Sequence, residues 1–235
     1  MGGRLRVQNK FGERKVPSES IDPKSIYVIA IAGEGKTEDQ YFDGLKENAR
    51  KLKIPEIIQI ERLDKKDDKD TKSHPRHVKD LLCERKKDWE EHGFDPNELW
   101  MVVDRDPQNV KTKQLEEIIE ICQEQGFNIA ISAPTFELWL LLHIVDIKDY
   151  DKTVLIQNKK VGNSKGSKRF IETELSRLLG GYNKNNIKFE RFIEGIETAI
   201  KRANSIGSTN EGLTQENSLG TTVHILVEKI LSNKK

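Results

Sequence analysis

Short apolar runs separated by amphipathic stretches fill the chain up to about residue 146, and this pattern predicts the fold. Four apolar runs predict β-strands, at 26–32, 56–61, 98–104 and 128–132. The stretches between them repeat their apolar side chains at helical spacing and predict helices at about 37–52, 75–91 and 112–125. Strands that alternate with helices favour an α/β fold with a parallel four-stranded sheet and right-handed crossovers.

Beyond residue 146 the pattern becomes helical, with predicted helices near 168–180, 188–206 and 220–232. The second of these carries an apolar stripe typical of a helix that faces the core. The stripe consists of Phe189, Phe192, Ile193, Ile196, Ala199, Ile200, Ala203 and Ile206. We therefore divide the chain into a flexible basic arm (1–24), an α/β core (25–146) and a helical C-terminal region (147–235).

The composition suits a compact protein that is not coated with positive charge. Charged residues make up 34% of the 235 residues and hydrophobic ones 35%, and the net charge is only +1. Any contact with nucleic acid must therefore come from local basic patches. Cys83 and Cys122 lack C-x-x-C spacing, and no apolar run is long enough for a signal peptide or a membrane span. These features predict a cytoplasmic protein with no membrane partner.

The first predicted strand stops at Gly33-Glu34-Gly35. Glycines on both sides of Glu34 permit a sharp turn, which would leave its carboxylate at the carboxyl end of the strand, where open α/β sheets bind ligands. Thr37 is the predicted N-cap of the helix that follows, with Gln40 completing a capping box. Glu38 then lies in the first turn, where the helix dipole favours a carboxylate.

Asp104 and Asp106 follow the apolar run 99–103. Side chains two positions apart on a strand point to the same face, so the two carboxylates are expected to converge while Arg105 points away. Such a pair repels itself unless a cation lies between its members, and hard oxygen ligands suit Mg²⁺ or Mn²⁺. The pair predicts a metal-dependent phosphoryl-transfer site.

Glu137 lies in the stretch 136–142, which is apolar on nearly every side and therefore predicts a buried helix opened by Pro134 at its first position. A carboxylate buried there needs a partner. That partner is a metal ion, several hydrogen-bond donors, or a structural cation such as Arg105 or a lysine; a metal role is favoured, with the ion pair as its rival. His143 lies on the face of Phe136, away from Glu137, and is expected to be a packed, hydrogen-bonded histidine.

The segment 157–169 forms a predicted basic loop with five positive charges and no acidic residue. These charges are Lys159, Lys160, Lys165, Lys168 and Arg169. Such a loop fits contact with the phosphates of a polyanion, although a flexible connection with ordinary surface lysines remains an alternative. Lys36, at the head of the first helix, is a further candidate for a phosphate contact.

The chain resembles the RloB family, whose members carry a Toprim-like core and are associated with bacterial restriction and antiphage loci. The matching blocks are 33–38 (GEGKTE) with 41–42 (YF), 103–106 (VDRD), 134–143 (PTFELWLLLH), 182–184 (YNK) and 222–227 (TVHILV). The FELW block is the most diagnostic, whereas the Glu and D-x-D blocks are shared with overcoming-lysogenization nucleases, topoisomerases and primases. One departure is 217–220 (NSLG), where the family often has Asn-Pro.

This resemblance implies a Toprim-type nuclease that cleaves phosphodiester bonds as an antiphage or abortive-infection effector. RNA, such as tRNA, is favoured over DNA as the substrate, and a protein partner within the defence system is possible. Asp104 and Asp106 would hold Mg²⁺ or Mn²⁺, and Glu34 would act as general acid or base or as a further ligand. Glu38 and Glu137 would complete a second metal site. Tyr182 and Lys184 would contact a base and a phosphate.

Two other functions fit the sequence. A primase-like nucleotidyl transferase would use the same acidic blocks, but the chain shows neither a zinc-ligand cluster nor a companion domain to hold a template. A non-catalytic subunit would use the acidic site to bind metal, nucleic acid or a partner protein. Topoisomerase activity is disfavoured because nothing of the size of a tyrosine-bearing partner domain remains in the chain.

Overall fold

The computed structural model describes residues 27–33, 35–55, 58–63, 75–92, 96–106, 110–164 and 166–232, and it confirms the predicted α/β class. The five strands of the described residues form one sheet. They are β1 (Tyr27–Gly33), β2 (Ile58–Arg62), β3 (Glu98–Asp104), β4 (Asn128–Ala133) and β5 (Gly220–Thr221). Their order across the sheet is β2-β1-β3-β4-β5.

The first four strands are parallel, as predicted, and the fifth is an addition that the sequence pattern did not indicate. β1 pairs in parallel with β2 and β3, and β3 pairs in parallel with β4. β5 is only two residues long and pairs with β4 in the antiparallel direction. A segment of the C-terminal region therefore forms part of the sheet.

Helices cover both faces of this sheet. They are α1 (Lys36–Glu47), α2 (Pro75–Glu91), α3 (Thr112–Gln125), α4 (Glu137–Ile144), α5 (Lys152–Gln157), α6 (Phe170–Leu178), α7 (Ile196–Ile206), α8 (Asn210–Thr214) and α9 (Val223–Ser232). Among the described helices, none combines the length and apolarity that a membrane span requires.

Two hydrophobic cores lie on opposite faces of the sheet because side chains alternate along each strand. In β1, Ile29 and Ile31 join one core while Ala30 and Ala32 join the other. The first core also contains apolar residues of α1, α4, α6, α7 and α9, and the second contains those of α2 and α3. Helices of the C-terminal region thus pack on the same face as α1 and α4.

Two predicted helix starts are wrong. The N-cap of α1 is Gly35 instead of Thr37, and the amide of Gln40 does not close a capping box, because its Oε1 accepts from the backbone N–H of Ile187 at 2.7 Å. Pro134 does not open α4: it follows a cis peptide bond, and the helix begins at Glu137.

The predicted helix at 188–206 is interrupted. Two 3₁₀ turns, Phe189–Arg191 and Ile193–Gly195, precede α7. The predicted stripe nevertheless lies in the first core. The predicted N-terminal arm (1–24) and the first residues of the second predicted strand (56–57) lie outside the described residues.

Candidate functional site

The candidate site lies at the carboxyl edge of the sheet, where parallel strands β1, β3 and β4 end side by side. Gly33, the last residue of β1, pairs with Val102 of β3, and Asp104, the last residue of β3, pairs with Ser132 of β4. The glycine turn and the D-x-D pair therefore occupy neighbouring strand ends, as open α/β sheets arrange their ligand sites. Glu34 itself lies outside the described residues.

Glu38 packs against the glycine turn from the first turn of α1. It is buried, and a Cβ atom added at Gly35 would lie 2.9 Å from its Oε2 atom. A Cβ atom added at Gly33 would lie 3.0 Å from the Cβ of Glu38 and 2.8 Å from Oδ1 of Asp39. A side chain at either glycine would therefore crowd Glu38, and the two glycines leave room for it.

Arg105, between the two aspartates, is directed towards α3 and α8. It is only 4% exposed, and its guanidinium donates to the carbonyl oxygens of Thr214 and Val110 and to the hydroxyl of Thr112, at 3.0, 2.9 and 3.1 Å. Burial lowers its pKa, against the opposing charges of Glu216 and Asp106. Arg105 therefore connects the end of β3 to the start of α3 and to α8.

Asp106 forms an ion pair with Arg169, the residue that precedes α6. The Nη2 atom of Arg169 lies 2.9 Å from Oδ2 of Asp106, and both side chains are largely shielded, at 21% and 11% exposure. Burial acts to lower the pKa of Arg169, but the hydrogen bond and the charge of Asp106 outweigh it, with smaller contributions from Glu172 and Glu137, so the pKa is raised. The last residue of the predicted basic loop thus reaches the acidic strand end.

Glu137 is buried at the start of α4, as predicted, and two neutral hydroxyls of the described residues donate to it. Its Oε1 atom accepts from the hydroxyl of Tyr182 at 3.3 Å and from that of Thr37 at 3.5 Å. The alternative of an ion pair with Arg105 is wrong, because the guanidinium of Arg105 bonds to α3 and α8. The pKa of Tyr182 is raised, mainly by burial and to a smaller extent by the charge of Glu137.

The segment 182–184 connects α1 to α6. Thr37 also donates to the backbone carbonyl of Lys184 at 3.2 Å, and the ammonium of Lys184 lies 3.5 Å from Oε1 of Glu172. Tyr182 is only 8% exposed and belongs to the first core, so its ring is not presented for stacking on a base as the sequence suggested. Its role in the described structure is to hold Glu137.

The basic loop presents some of its lysines and fixes others. Lys159 and Lys160 are exposed, and Lys160 forms an isolated antiparallel bridge with Arg169. The ammonium of Lys168 donates to Oγ of Ser176 and to the carbonyl of Tyr182, both at 2.7 Å. Lys165 lies outside the described residues, and Lys36 is exposed at the start of α1. Lys36, Lys159 and Lys160 are therefore exposed predicted phosphate contacts, and Lys184 is exposed as well, although its ammonium pairs with Glu172.

His143 is a packed residue of the core, as expected. It is buried at the end of α4, where its Nδ1 donates to the carbonyl of Trp139 at 2.9 Å and its Nε2 accepts from the hydroxyl of Tyr41 at 3.1 Å. Burial lowers the pKa of His143 to about 4 and raises that of Tyr41. The neutral imidazole is therefore the form that the folded protein holds.

The predicted metal site is not complete within the described residues. Carboxylates are the ligands that Mg²⁺ and Mn²⁺ prefer, but no group of three or more potential ligands in the described ranges is arranged to hold an ion. Asp106 faces a guanidinium and Glu137 faces two hydroxyls. Glu34, the other predicted ligand, lies outside the described residues, and Mg²⁺ or Mn²⁺ binding stays a prediction.

Three contributors to the site were missed by sequence reasoning. The hydroxyl of Thr37 binds Glu137 instead of capping its helix, Glu172 holds Lys184, and Arg169 binds Asp106 in addition to belonging to the basic loop. The spacing of Arg169 and Glu172, three residues apart around the start of a helix, was a signal that the two side chains share one face.

Comparison with known proteins gives a family and no further relative. The family model described as RloB-like protein matches residues 29–230. No curated protein matches the chain, and neither does any solved structure.

Proposed function

Because the chain belongs to the RloB-like family over residues 29–230, we propose that it is a metal-dependent nuclease that cleaves phosphodiester bonds in nucleic acid. The observation that supports this proposal most is the meeting of the D-x-D strand end with the basic loop through Asp106 and Arg169. Acidic groups that attract a cation and an arginine that binds phosphate are the two components that phosphodiester cleavage needs.

Each group has a proposed task. Asp104 and Asp106, with Glu34, hold Mg²⁺ or Mn²⁺, and the ion supplies positive charge for the phosphate. Glu34 is also the proposed general acid or base. Arg169 exchanges Asp106 for a non-bridging oxygen of the scissile phosphate, since its planar guanidinium suits both partners.

The surrounding residues bind the strand and support the carboxylates. Lys36, Lys159 and Lys160, which are exposed, neutralise phosphates on either side of the scissile one. Glu38 and Glu137 are buried, and we propose that they add outer ligands or hold a second ion. RNA, such as tRNA, is the favoured substrate, and the reaction serves antiphage or abortive-infection defence.

The test compares wild type with Glu34→Gln and Asp104→Asn on total tRNA, ribosomal RNA, and single- and double-stranded DNA. Each reaction contains Mg²⁺, Mn²⁺ or a chelator. Glu120→Gln, which removes an exposed carboxylate of α3, is the matched control. We expect cleavage by wild type and Glu120→Gln only, and only with metal. Full activity of either site variant would contradict the proposal.

A non-catalytic subunit remains the second candidate, because Asp106 and Glu137 have protein partners in the described structure. It predicts no cleavage of any polymer by wild type, together with nucleic-acid or partner binding that the site variants alter. A primase-like transferase would instead extend a primed template, which a parallel reaction supplied with nucleotides would detect.

A further inference from the structure

A cavity of about 740 Å³ lies beside the candidate site, between α3, α5 and the loop 215–218. Arg105 and Pro134, which follow β3 and β4, form the part of its wall nearest the sheet. The volume falls in the range of about 300–1,000 Å³ that small-molecule sites occupy. The cavity therefore has room for a nucleotide, and Arg105, which stands between the two aspartates of the D-x-D pair, is part of its wall.

The wall of this cavity carries an excess of positive charge. Four of its lining residues are cationic, namely Arg105, Lys111, Lys113 and Lys159, and one is anionic, Glu216. The lysines are exposed, whereas Arg105 is buried. The first turn of α3 contains no acidic residue, so the positive end of that helix dipole is not offset within the turn. The field in the cavity favours an anion.

Arg105 provides an observation independent of the helix end. Its hydrogen bonds go to two carbonyl oxygens and one hydroxyl, and none of these partners carries a negative charge. A guanidinium has five N–H donors, of which these bonds use three. The carboxylates of Glu216 and Asp106 act on this charge from nearby, but the hydrogen bonds of the guanidinium go to neutral acceptors, so an anionic ligand in the cavity would further stabilise the buried cation.

The rest of the wall suits a base. Gln157, Asn217 and Ser218 line the cavity together with the apolar side chains of Ile156, Val110 and Pro134. Amide side chains offer both donors and acceptors, which is what hydrogen bonding to the edge of a base requires. Apolar side chains can lie against its face. An inorganic anion would use the charged part of this wall and leave the remainder unused.

We propose that this cavity binds one nucleotide, with its phosphate between Arg105, Lys111 and Lys113 and its base against the amides. The nucleotide is either a unit of the substrate strand next to the scissile phosphate or a free nucleoside monophosphate. Binding of a unit of the substrate strand rests on the proposed function, whereas the nucleotide site itself does not.

The experiment measures binding by calorimetry at low salt in a chelator, using the full-length chain with Asp104→Asn so that no strand is cut. The probes are the four nucleoside monophosphates, a nucleoside, inorganic phosphate and a short single-stranded RNA. Lys111→Glu combined with Lys113→Glu is the test variant. Lys201→Glu, an exposed lysine of α7 that does not line the cavity, is the control.

We expect at least one monophosphate to bind, and the double charge reversal to weaken it by about tenfold or more while the control changes little. Tighter binding of the RNA, lost in the same variant, would assign the site to the strand; binding of the monophosphate alone would assign it to a free nucleotide. Three results would overturn the proposal. They are a failure of every nucleotide to bind, equal affinity of the Lys111→Glu/Lys113→Glu variant for the monophosphate, and affinity for inorganic phosphate as high as for every monophosphate. A failure of cleavage leaves this result unchanged, so the two proposals fail separately.

Discussion

The guanidinium of Arg169 lies 2.9 Å from the carboxylate of Asp106, so the chain itself places a cation against the D-x-D pair. The pair is largely shielded from water, where an ionic contact is stronger than on an exposed surface. A divalent ion that bound Oδ2 of Asp106 would displace this arginine. The same displacement would release the guanidinium for a phosphate, so that ion binding and substrate binding would be linked.

Removing this competitor should tighten metal binding. We expect Arg169→Gln to raise the affinity for Mn²⁺ by about tenfold or more, because one fixed positive charge leaves the site. Nuclease activity should fall in the same variant, since the phosphate loses a partner. Calorimetric titration with Mn²⁺ and the cleavage assay measure the two effects.

Arg177→Gln is the matched control for this comparison. Arg177 lies on α6 and, like Arg169, pairs with an acid, but its partner is Glu174 and its side chain is 62% exposed. Arg177→Gln should change neither the affinity for Mn²⁺ nor the nuclease activity. Equal Mn²⁺ affinity in wild type and Arg169→Gln would show that the arginine does not compete with the ion.

The hydroxyl of Tyr182 should contribute to stability through Glu137. Tyr182→Phe removes the shorter of the two hydrogen bonds to a buried carboxylate, and we expect a loss of about 1–3 kcal/mol in the free energy of unfolding. Tyr150→Phe is the comparison, because Tyr150 also donates to a glutamate, Glu174. That glutamate keeps its pair with Arg177, so the loss should be below about 1 kcal/mol. Urea unfolding measures both, and equal losses would contradict the role of Glu137.

Stability should fall as the pH falls from about 6.5 to about 4, because burial lowers the pKa of His143 from 6.5 to about 4. In this window the unfolded chain binds a proton that the folded protein does not bind, so stability is lost towards acid. Protonation of His143 should account for a loss of about 3 kcal/mol in the free energy of unfolding across this window. His224, whose pKa burial also lowers, acts in the same direction.

The variant His143→Asn isolates this contribution from that of the carboxylates. It should be less stable than wild type at neutral pH because it loses packing, and the difference should shrink as the pH approaches about 4. Urea unfolding at a series of pH values measures the two curves. Parallel curves would show that His143 does not carry this dependence.

Gly44 should tolerate no side chain. A Cβ atom there would overlap the ring of Phe189, which packs against the middle of α1. We expect Gly44→Ala to cost about 1–3 kcal/mol despite the higher helix propensity of alanine. A Cβ atom at Gly166 would meet nothing within 4 Å, so Gly166→Ala should leave thermal stability unchanged or slightly raised. A neutral Gly44→Ala would contradict the contact with Phe189.

Local sequence patterns predicted those helices and strands whose bounds are determined within their own sequence. The bounds of α2, β3 and α3 agree with the prediction because each has a clear period and clear ends. Thr37 shows where such reasoning stops. A threonine ahead of an amphipathic run is typical of an N-cap, but here its hydroxyl binds Glu137, which lies 100 positions away. No local pattern contains that contact.

The stripe at 188–206 shows the same limit in another form. The pattern identified its core residues, and most of them are buried. It did not reveal the break, which lies where Gly195 approaches the backbone carbonyl of His143 so closely that a Cβ atom would overlap it. The helical period can be read from the stripe itself. The interruption at Gly195 involves a contact with His143 of α4, which the stripe does not contain. The pairing of Arg169 with Asp106 was missed for the same reason.

The short strand β5 has a consequence for how the chain must be produced. By pairing Ser132 with Thr221 and Ala133 with Gly220, it closes part of the β4 edge that would otherwise expose unpaired backbone groups. Open edges of this kind recruit strands from other molecules. During synthesis this edge stays open until residues 220–221 have left the ribosome, so a nascent chain, or one truncated before them, carries a greater aggregation risk than a chain in which β5 has paired.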